Sequence, residues 1–191
     1  MRLLSGTPSG FEPFRLAIIG NGNSDFLGPA LKSSALRYGV WLDTYAAGMG
    51  RIATAVLDPR DKLYQFNPHA VLAALTWQVF PLFIPATSSD KSGTGAEELK
   101  AEIELIKETL EQNGNIALFA QTIPQAPLSL FGSLDRRIAG TVRRVIADFN
   151  AWLFATNLPV IDAANLAEMV GRAAWHDSGQ WNWAKLPFRK T

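Results

Sequence analysis

A serine at a strand-to-helix turn and a histidine in a late loop are the residues of this chain best suited to chemistry. The stretch Gly20-Asn21-Gly22-Asn23-Ser24-Asp25 follows an apolar run at residues 15–20, and Ser24 supplies the hydroxyl at that turn. A serine becomes a nucleophile when an imidazole takes its proton and a carboxylate orients the imidazole. His176 and Asp177 offer those two groups. They are adjacent, so their side chains diverge, and a different carboxylate would have to orient the ring. Ser24 equally suits a helix start, where its oxygen accepts a free backbone N–H. Gly20-x-Gly22 is also half of a dinucleotide-binding fingerprint, with Asp43 near the end of the next strand as the ribose-binding acid. Asp25 stands where the third glycine belongs, which puts a carboxylate where a phosphate is wanted.

Other polar residues fall at successive strand ends. Asn21, Asn23 and Asp25 follow the first strand, Gly48, Gly50 and Arg51 the second, Gln78 the third and Gln121 the fourth. In an open parallel sheet these ends share one edge, and ligands bind where the strand order reverses. Replacing Asn21, Asn23 and Gln121 with alanine is then expected to weaken binding and leave thermal stability nearly intact. Arg136, Arg137, Arg143 and Arg144 share about a third of the circumference of an expected long helix, a face for an acidic partner or a phosphate group. The C-terminal stretch 175–191 carries Trp175, Trp181 and Trp183, suited to a lid over the sheet edge or to stacking on a ligand.

Composition limits the remaining choices. The chain has 191 residues, 48% hydrophobic and 18% charged, with a net charge of +1, which suits one domain and gives no global field for nucleic acid or a membrane surface. It has no cysteine, which excludes disulfides, thiolate metal sites and a cysteine nucleophile and is compatible with the cytoplasm. With two histidines, His69 and His176, no metal site and no cofactor are expected. Residues 1–13 lack the apolar core of a secretory signal and are expected to be a flexible arm. The apolar segment 70–86 is interrupted by Thr76, Gln78, Pro81 and Pro85, so a buried strand with its connection is expected there rather than a membrane span.

The elements alternate. Strands are expected at 15–20, 40–45, 69–77, 115–121 and 158–162, and helices at 25–38, 96–113, 134–156 and 163–170. A short helix after Arg51 ends at Pro59, 58–68 reads as turns, and 87–95 reads as a mobile loop. Leu27, Leu31, Ala35 and Tyr38 form the inward face of the first helix, and Leu99, Ile103, Ile106 and Leu110 that of the second. In the long helix the inward positions are Leu134, Ile138, Val142, Val145, Phe149 and Leu153. The alternation predicts one α/β domain over 1–191, a three-layer α/β/α sandwich with a flavodoxin-like five-stranded parallel sheet in order 2-1-3-4-5.

Short blocks in a fixed order resemble the N-terminal SGNH-hydrolase-like domain of FkbH-like proteins over nearly the whole chain. They are Gly20-Asn21-Gly22-Asn23-Ser24-Asp25-Phe26-Leu27, Leu57-Asp58-Pro59, Leu63-Tyr64-Gln65-Phe66-Asn67-Pro68 and Ala120-Gln121-Thr122-Ile123-Pro124. The series continues with Gly132-Ser133-Leu134-Asp135-Arg136-Arg137, Phe149-Asn150, Ile161-Asp162, Trp175-His176-Asp177, Trp181 and Ala184-Lys185-Leu186-Pro187-Phe188. The resemblance implies an SGNH-type sandwich. In FkbH-like proteins a phosphatase-like domain of the haloacid dehalogenase superfamily follows and loads a glyceryl unit onto an acyl carrier protein in polyketide-type pathways. That chemistry needs an Asp-rich motif, magnesium and a cysteine, which belong to the later domain. Set against the SGNH blocks, Gly22 takes the nucleophile position, Gln78 lies where an asparagine is expected, and Gln180 stands where histidine should follow Asp177. The resemblance therefore implies an accessory or binding domain without a complete triad, partnered by an acyl carrier protein or an adjoining phosphatase-like domain. The alternative is a divergent esterase or acyltransferase using Ser24 and His176.

Overall fold

The structure, a computed structural model, describes residues 7–83 and 96–189. Strands β1 (Glu12–Gly20), β2 (Val40–Ala46), β3 (Ala70–Ala74), β4 (Ala117–Gln121) and β5 (Val160–Ile161) form one sheet in the order β2-β1-β3-β4-β5. Every neighbouring pair is parallel. The helices are α1 (Leu27–Ala35), α2 (Thr54–Leu57), α3 (Lys62–Phe66), α4 (Glu97–Gln112), α5 (Val142–Ala155), α6 (Ala163–Val170), α7 (Arg172–Trp175) and α8 (Ser178–Ala184). This is the expected α/β/α sandwich with the expected strand order. The inner strands read as unbroken apolar runs because both faces of the sheet are covered.

One face is densely filled. Val71 and Ala73 of β3, Leu75 just after it, and Leu118 and Ala120 of β4 meet Leu99, Ile103, Ile106 and Leu110 of α4 and Val145, Ile146, Phe149 and Leu153 of α5. The stripe expected on α4 is the stripe the helix buries. Alternate side chains point the other way. On that side lie Leu72 and Ala74 of β3, covered by α1 and α6. The covering helices bury only small residues: Gly28 in α1, Ala163 and Ala167 in α6.

Several boundaries differ from the sequence expectation, each for a local reason. β1 starts at Glu12, inside the stretch expected as an arm, because Glu12 pairs in register with Val40 of β2. Residues 1–6 of that arm and the loop expected at 87–95 lie outside the described residues. β3 stops at Ala74, since Thr76 N–H donates to the Asn21 side chain instead of to a neighbouring strand. The turn-rich segment contains α3, which forms because the Asp61 carboxylate accepts the Leu63 N–H at 2.8 Å and caps it. The first helix gives way to a 3₁₀ turn over Leu36–Tyr38, and the tighter winding leaves Tyr38 81% exposed instead of inward.

The expected helix at 134–156 is two pieces, a 3₁₀ turn at Gly132–Arg136 and α5 from Val142. Asp135 turns back to accept Phe131 N–H at 2.7 Å, Leu130 N–H at 3.1 Å and Ser129 Oγ–H at 2.9 Å. Gly140, at φ 79°, then lies in the left-handed region, where a right-handed helix cannot continue. Leu134 is consequently exposed. Among the described residues no helix is long and apolar enough to cross a membrane.

Candidate functional site

The turn after β1 is filled by protein. A Cβ on Gly20 would lie 2.3 Å from the Ala74 carbonyl oxygen, and one on Gly22 would lie 3.2 Å from the Lys185 carbonyl oxygen, beside the Trp181 ring and Pro187. Both glycines thus admit close protein contacts. The Asn21 side chain accepts Thr76 N–H at 2.9 Å and donates to Thr76 Oγ1 at 3.0 Å, tying the loop after β1 to the loop after β3. This link spans the edge between those strands, where the crevice is expected, and a cavity of about 20 Å³ lies beside it. Asn23 donates its N–H to the Lys185 carbonyl at 2.8 Å, and its side chain accepts Asp25 N–H at 2.8 Å. The α8 segment is therefore fastened over the Gly20–Gly22 turn. Asp43, the acid of the dinucleotide reading, is held by Lys32 at 2.8 Å. That hydrogen bond, working against partial burial, keeps its carboxyl below the usual value.

The structure does not bring Ser24 and His176 together. The Ser24 carbonyl accepts Leu27 N–H at 2.9 Å and Gly28 N–H at 3.3 Å, so this residue opens α1 through its backbone and not as a side-chain cap. Ser24 lines an open cavity of about 480 Å³ with Asp25, Gly48, Met49 and Trp183. His176 lies elsewhere, with Nε2 3.0 Å from the Gln125 carbonyl oxygen. A carbonyl only accepts, so the proton sits on Nε2 and Nδ1 carries the lone pair of the neutral ring. Burial lowers the imidazole below its ordinary value and the nearby Arg172 charge adds to this, with the Gln125 carbonyl opposing both. Asp177 does not orient the ring. It caps α8, accepting Gln180 N–H at 2.9 Å.

The other expected residues are mostly engaged by the scaffold. Gln121 donates to the Leu75 carbonyl at 2.8 Å. Gly50 N–H donates to the Gly20 carbonyl at 3.0 Å, and Arg51 pairs with buried Asp61 at 2.6 Å. The Leu63 N–H, opposed by burial and joined by Arg51, holds the Asp61 carboxyl below its usual value. Gln78 Oε1 and Trp77 Nε1 are buried without hydrogen-bond partners among the described residues. Of the four arginines, Arg136 is on the 3₁₀ turn and Arg137 follows it, while Arg143 and Arg144 are on α5. Arg144 pairs with Asp148 at 2.8 Å, and Arg143 lies 3.9 Å from Asp135. Among the described residues no group of three or more metal-ligating side chains is assembled.

Two cavities beneath this edge are lined in part by the expected Gln78, Gln121, His176 and Asp177 and otherwise by apolar residues that sequence reasoning missed. One, of about 250 Å³, lies between the sheet and helices α1 and α6, bounded by Leu27, Leu72, Ala74, Leu166, Trp175 and Phe188. The other, of about 300 Å³, is more polar and holds Gln78, Asp177, Ser178 and Asn182. Trp77, His176 and Pro187 form the wall that both share. The one available signal was α6, whose sequence is apolar on more faces than a single buried stripe requires.

No protein-family model matches the chain, and no curated protein matches it by sequence. Among solved structures it is similar to the N-terminal part of protein BF1531 from Bacteroides fragilis, which contains a phosphatase domain and was crystallised with Mg. That match has a TM-score of 0.77 at 15% identity, over 94% of this chain and 48% of the other. The chain thus spans about half the length of that structure. A GDSL-like lipase from Bacteroides thetaiotaomicron gives a TM-score of 0.46 at 12% identity, over 92% of this chain and 80% of the lipase. An acetyl xylan esterase gives 0.45 at 14%, over 92% and 91%. The first of these matches carries the fold, which is the α/β/α sandwich that the sequence resemblance implies.

Proposed function

We propose that this chain is a non-hydrolytic binding domain of the SGNH-like kind found in FkbH-like proteins, acting beside a phosphatase-like domain that loads a carrier protein in polyketide-type biosynthesis. One observation carries the reading: the SGNH nucleophile position, Gly22, lies beneath the Lys185 carbonyl and the Trp181 ring. The proton route is interrupted as well, because His176 turns Nε2 to Gln125 and Asp177 caps α8. Loss of nucleophile and base together removes the proton-transfer path itself. The fold shared with a protein that contains a phosphatase domain supports the setting. There the exposed side chains of Arg136 and Arg137 would offer an acidic carrier protein charge-assisted contacts.

A second reading rests on Ser24, whose side chain has no hydrogen bond among the described residues and lines an open cavity. In that reading the chain is a divergent esterase or acyltransferase. Hydrolysis of p-nitrophenyl acetate by wild type and by Ser24→Ala separates the two. The binding-domain reading expects equal rates and no labelling of Ser24 by a fluorophosphonate. Turnover that disappears in Ser24→Ala, or a labelled Ser24, overturns it.

A further inference from the structure

The cavity under α1 and α6 has walls that neither a packed core nor the strand-edge site requires. Its floor is lowered by Ala74, and its roof includes Ala163, one of the two small residues that α6 buries. An empty apolar space costs stability in proportion to its volume, which an occupant offsets. Water is a poor occupant, since a buried water needs two to four polar partners. Three polar side chains here already have partners: Gln121 at the Leu75 carbonyl, Thr76 at Asn21, and His176, through Nε2, at the Gln125 carbonyl. Most of the remaining wall is carbon, including the Trp175 and Phe188 rings, whose centroids lie 6.1 Å apart.

Past Trp77, His176 and Pro187, which line both cavities, the chemistry changes. The adjoining cavity presents Gln78, Asp177, Ser178 and Asn182. Trp77 Nε1 and Gln78 Oε1, a buried donor and a buried acceptor without partners among the described residues, belong to this boundary. An apolar chamber that adjoins a polar one, with an unmatched donor and acceptor on the residues where they meet, suits an amphiphile with a neutral head.

We infer that the two cavities together bind a medium-chain acyl group carried on a neutral amide head, with the chain against Leu72 and Leu166 and the amide at Trp77 and Gln78. At about 30 Å³ for each water-sized group, the 250 Å³ chamber takes roughly eight chain atoms. This deepens the binding-domain reading above and rests on it in one respect, that the acyl group is held and not cleaved.

N-acylethanolamines of six, eight, twelve and sixteen carbons, titrated calorimetrically into the full chain, test the inference. Saturable one-site binding is expected, strongest near eight carbons and at least tenfold weaker in Ala74→Phe, which places a ring inside the chamber. Leu166→Phe, on a half-exposed position of α6, should weaken it severalfold and serves if Ala74→Phe does not fold. Absence of saturable binding at every length overturns the inference. So does affinity that climbs steadily to sixteen carbons and is untouched by both variants, the behaviour of surface adsorption. Product analysis of the same mixtures distinguishes the two failures: acyl release that needs Ser24 sinks the non-hydrolytic reading while leaving the chamber assigned.

Discussion

On one face of the sheet, α4 and α5 press Ile103, Ile106, Phe149 and Leu153 against Val71, Ala73 and Leu118, all of them buried. On the other, the covering helices bury only small residues: Gly28 of α1 lies against Thr44 of β2, and Ala163 of α6 lines a space of about 250 Å³. The two faces derive from one set of strands, since alternate residues of β3 serve each. Their difference lies in the covering helices. Where these bring branched and aromatic side chains, the layer is dense and specifies the fold. Where they bring small ones, the layer keeps room for an occupant.

Truncation should expose that difference most strongly. Phe149, with rings of Phe80 and Trp152 at 6.0 and 5.6 Å, has no space into which its neighbours can relax. Phe149→Ala is expected to cost about 3–5 kcal/mol. Leu72→Ala already borders open volume and should fall near the low end of its class, about 2 kcal/mol. Urea midpoints at unchanged slope measure both. Equal costs would mean that the two faces are packed alike and that the cavity does not persist in solution.

Next in size are two asparagines that bind backbone just past the strand ends. Asn150 accepts Ile123 N–H at 2.8 Å and donates to the Ile123 carbonyl at 2.9 Å, next to the packed face. Asn21 does the same work for Thr76 at the strand edge. Removing either leaves a backbone group without its partner, so each alanine variant should lose about 1–3 kcal/mol. At ~2–4 °C per kcal/mol, this is readable in thermal melts. For Asn21 it reverses the sequence-based expectation that alanine would spare stability. An unchanged melting temperature would restore Asn21 to the list of residues free to bind a ligand.

That reversal marks how far the sequence could be read. Periodicity gave α4 its buried stripe, Gly171 its place as the stop after Val170, and the alternation of strands and helices the sheet order. It failed at Leu134 and Ile138 because the spacing of apolar residues runs on smoothly through a break imposed by Asp135 and Gly140. A carboxylate that collects three local donors outcompetes a helix turn, and residue type alone does not announce which of the two will form. The blocks that carry the family resemblance turn out to hold the scaffold together. Thr122 donates to Asp162 at 2.8 Å, Ile123 is clasped by Asn150, and Asn23 holds the α8 segment. The apolar chamber was not legible because it depends on side-chain volume that is missing at Ala74 and Ala163, and no hydrophobic pattern registers missing volume.

Acid should separate the faces a third time. For Asp135, burial alone would raise the carboxyl, but the Phe131 N–H, the Ser129 hydroxyl, the Leu130 N–H and the Arg143 charge together hold it below 3.8. Asp61 beside α3 is also held low. A depressed carboxyl contributes stability that is present above its unfolded value and lost as pH falls through the folded one. Wild type should therefore weaken below about pH 4, and Asp135→Asn should start from lower stability and fall less steeply across that range. Parallel acid curves would remove Asp135 from the account of why the helix breaks.

The smallest expected effect belongs to the open face. His176 is lowered from 6.5, chiefly by burial and further by Arg172, so the unfolded chain binds its proton more readily than the folded one. Stability linked to this ring is complete above 6.5 and declines as pH falls below that value toward the folded pKa, a higher window than that of the carboxylates. His176→Gln, which cannot take up a proton, should flatten the melting temperature between pH 7 and pH 5 relative to wild type. The neutral ring forms part of the wall between the two cavities, so an acyl chain seated against it removes still more water from the imidazole. Binding of N-octanoylethanolamine should accordingly weaken in wild type as pH drops through the same window and stay level in His176→Gln. A pH response that is identical in both proteins would place the ligand away from this wall, and with it the apolar chamber as the seat of binding.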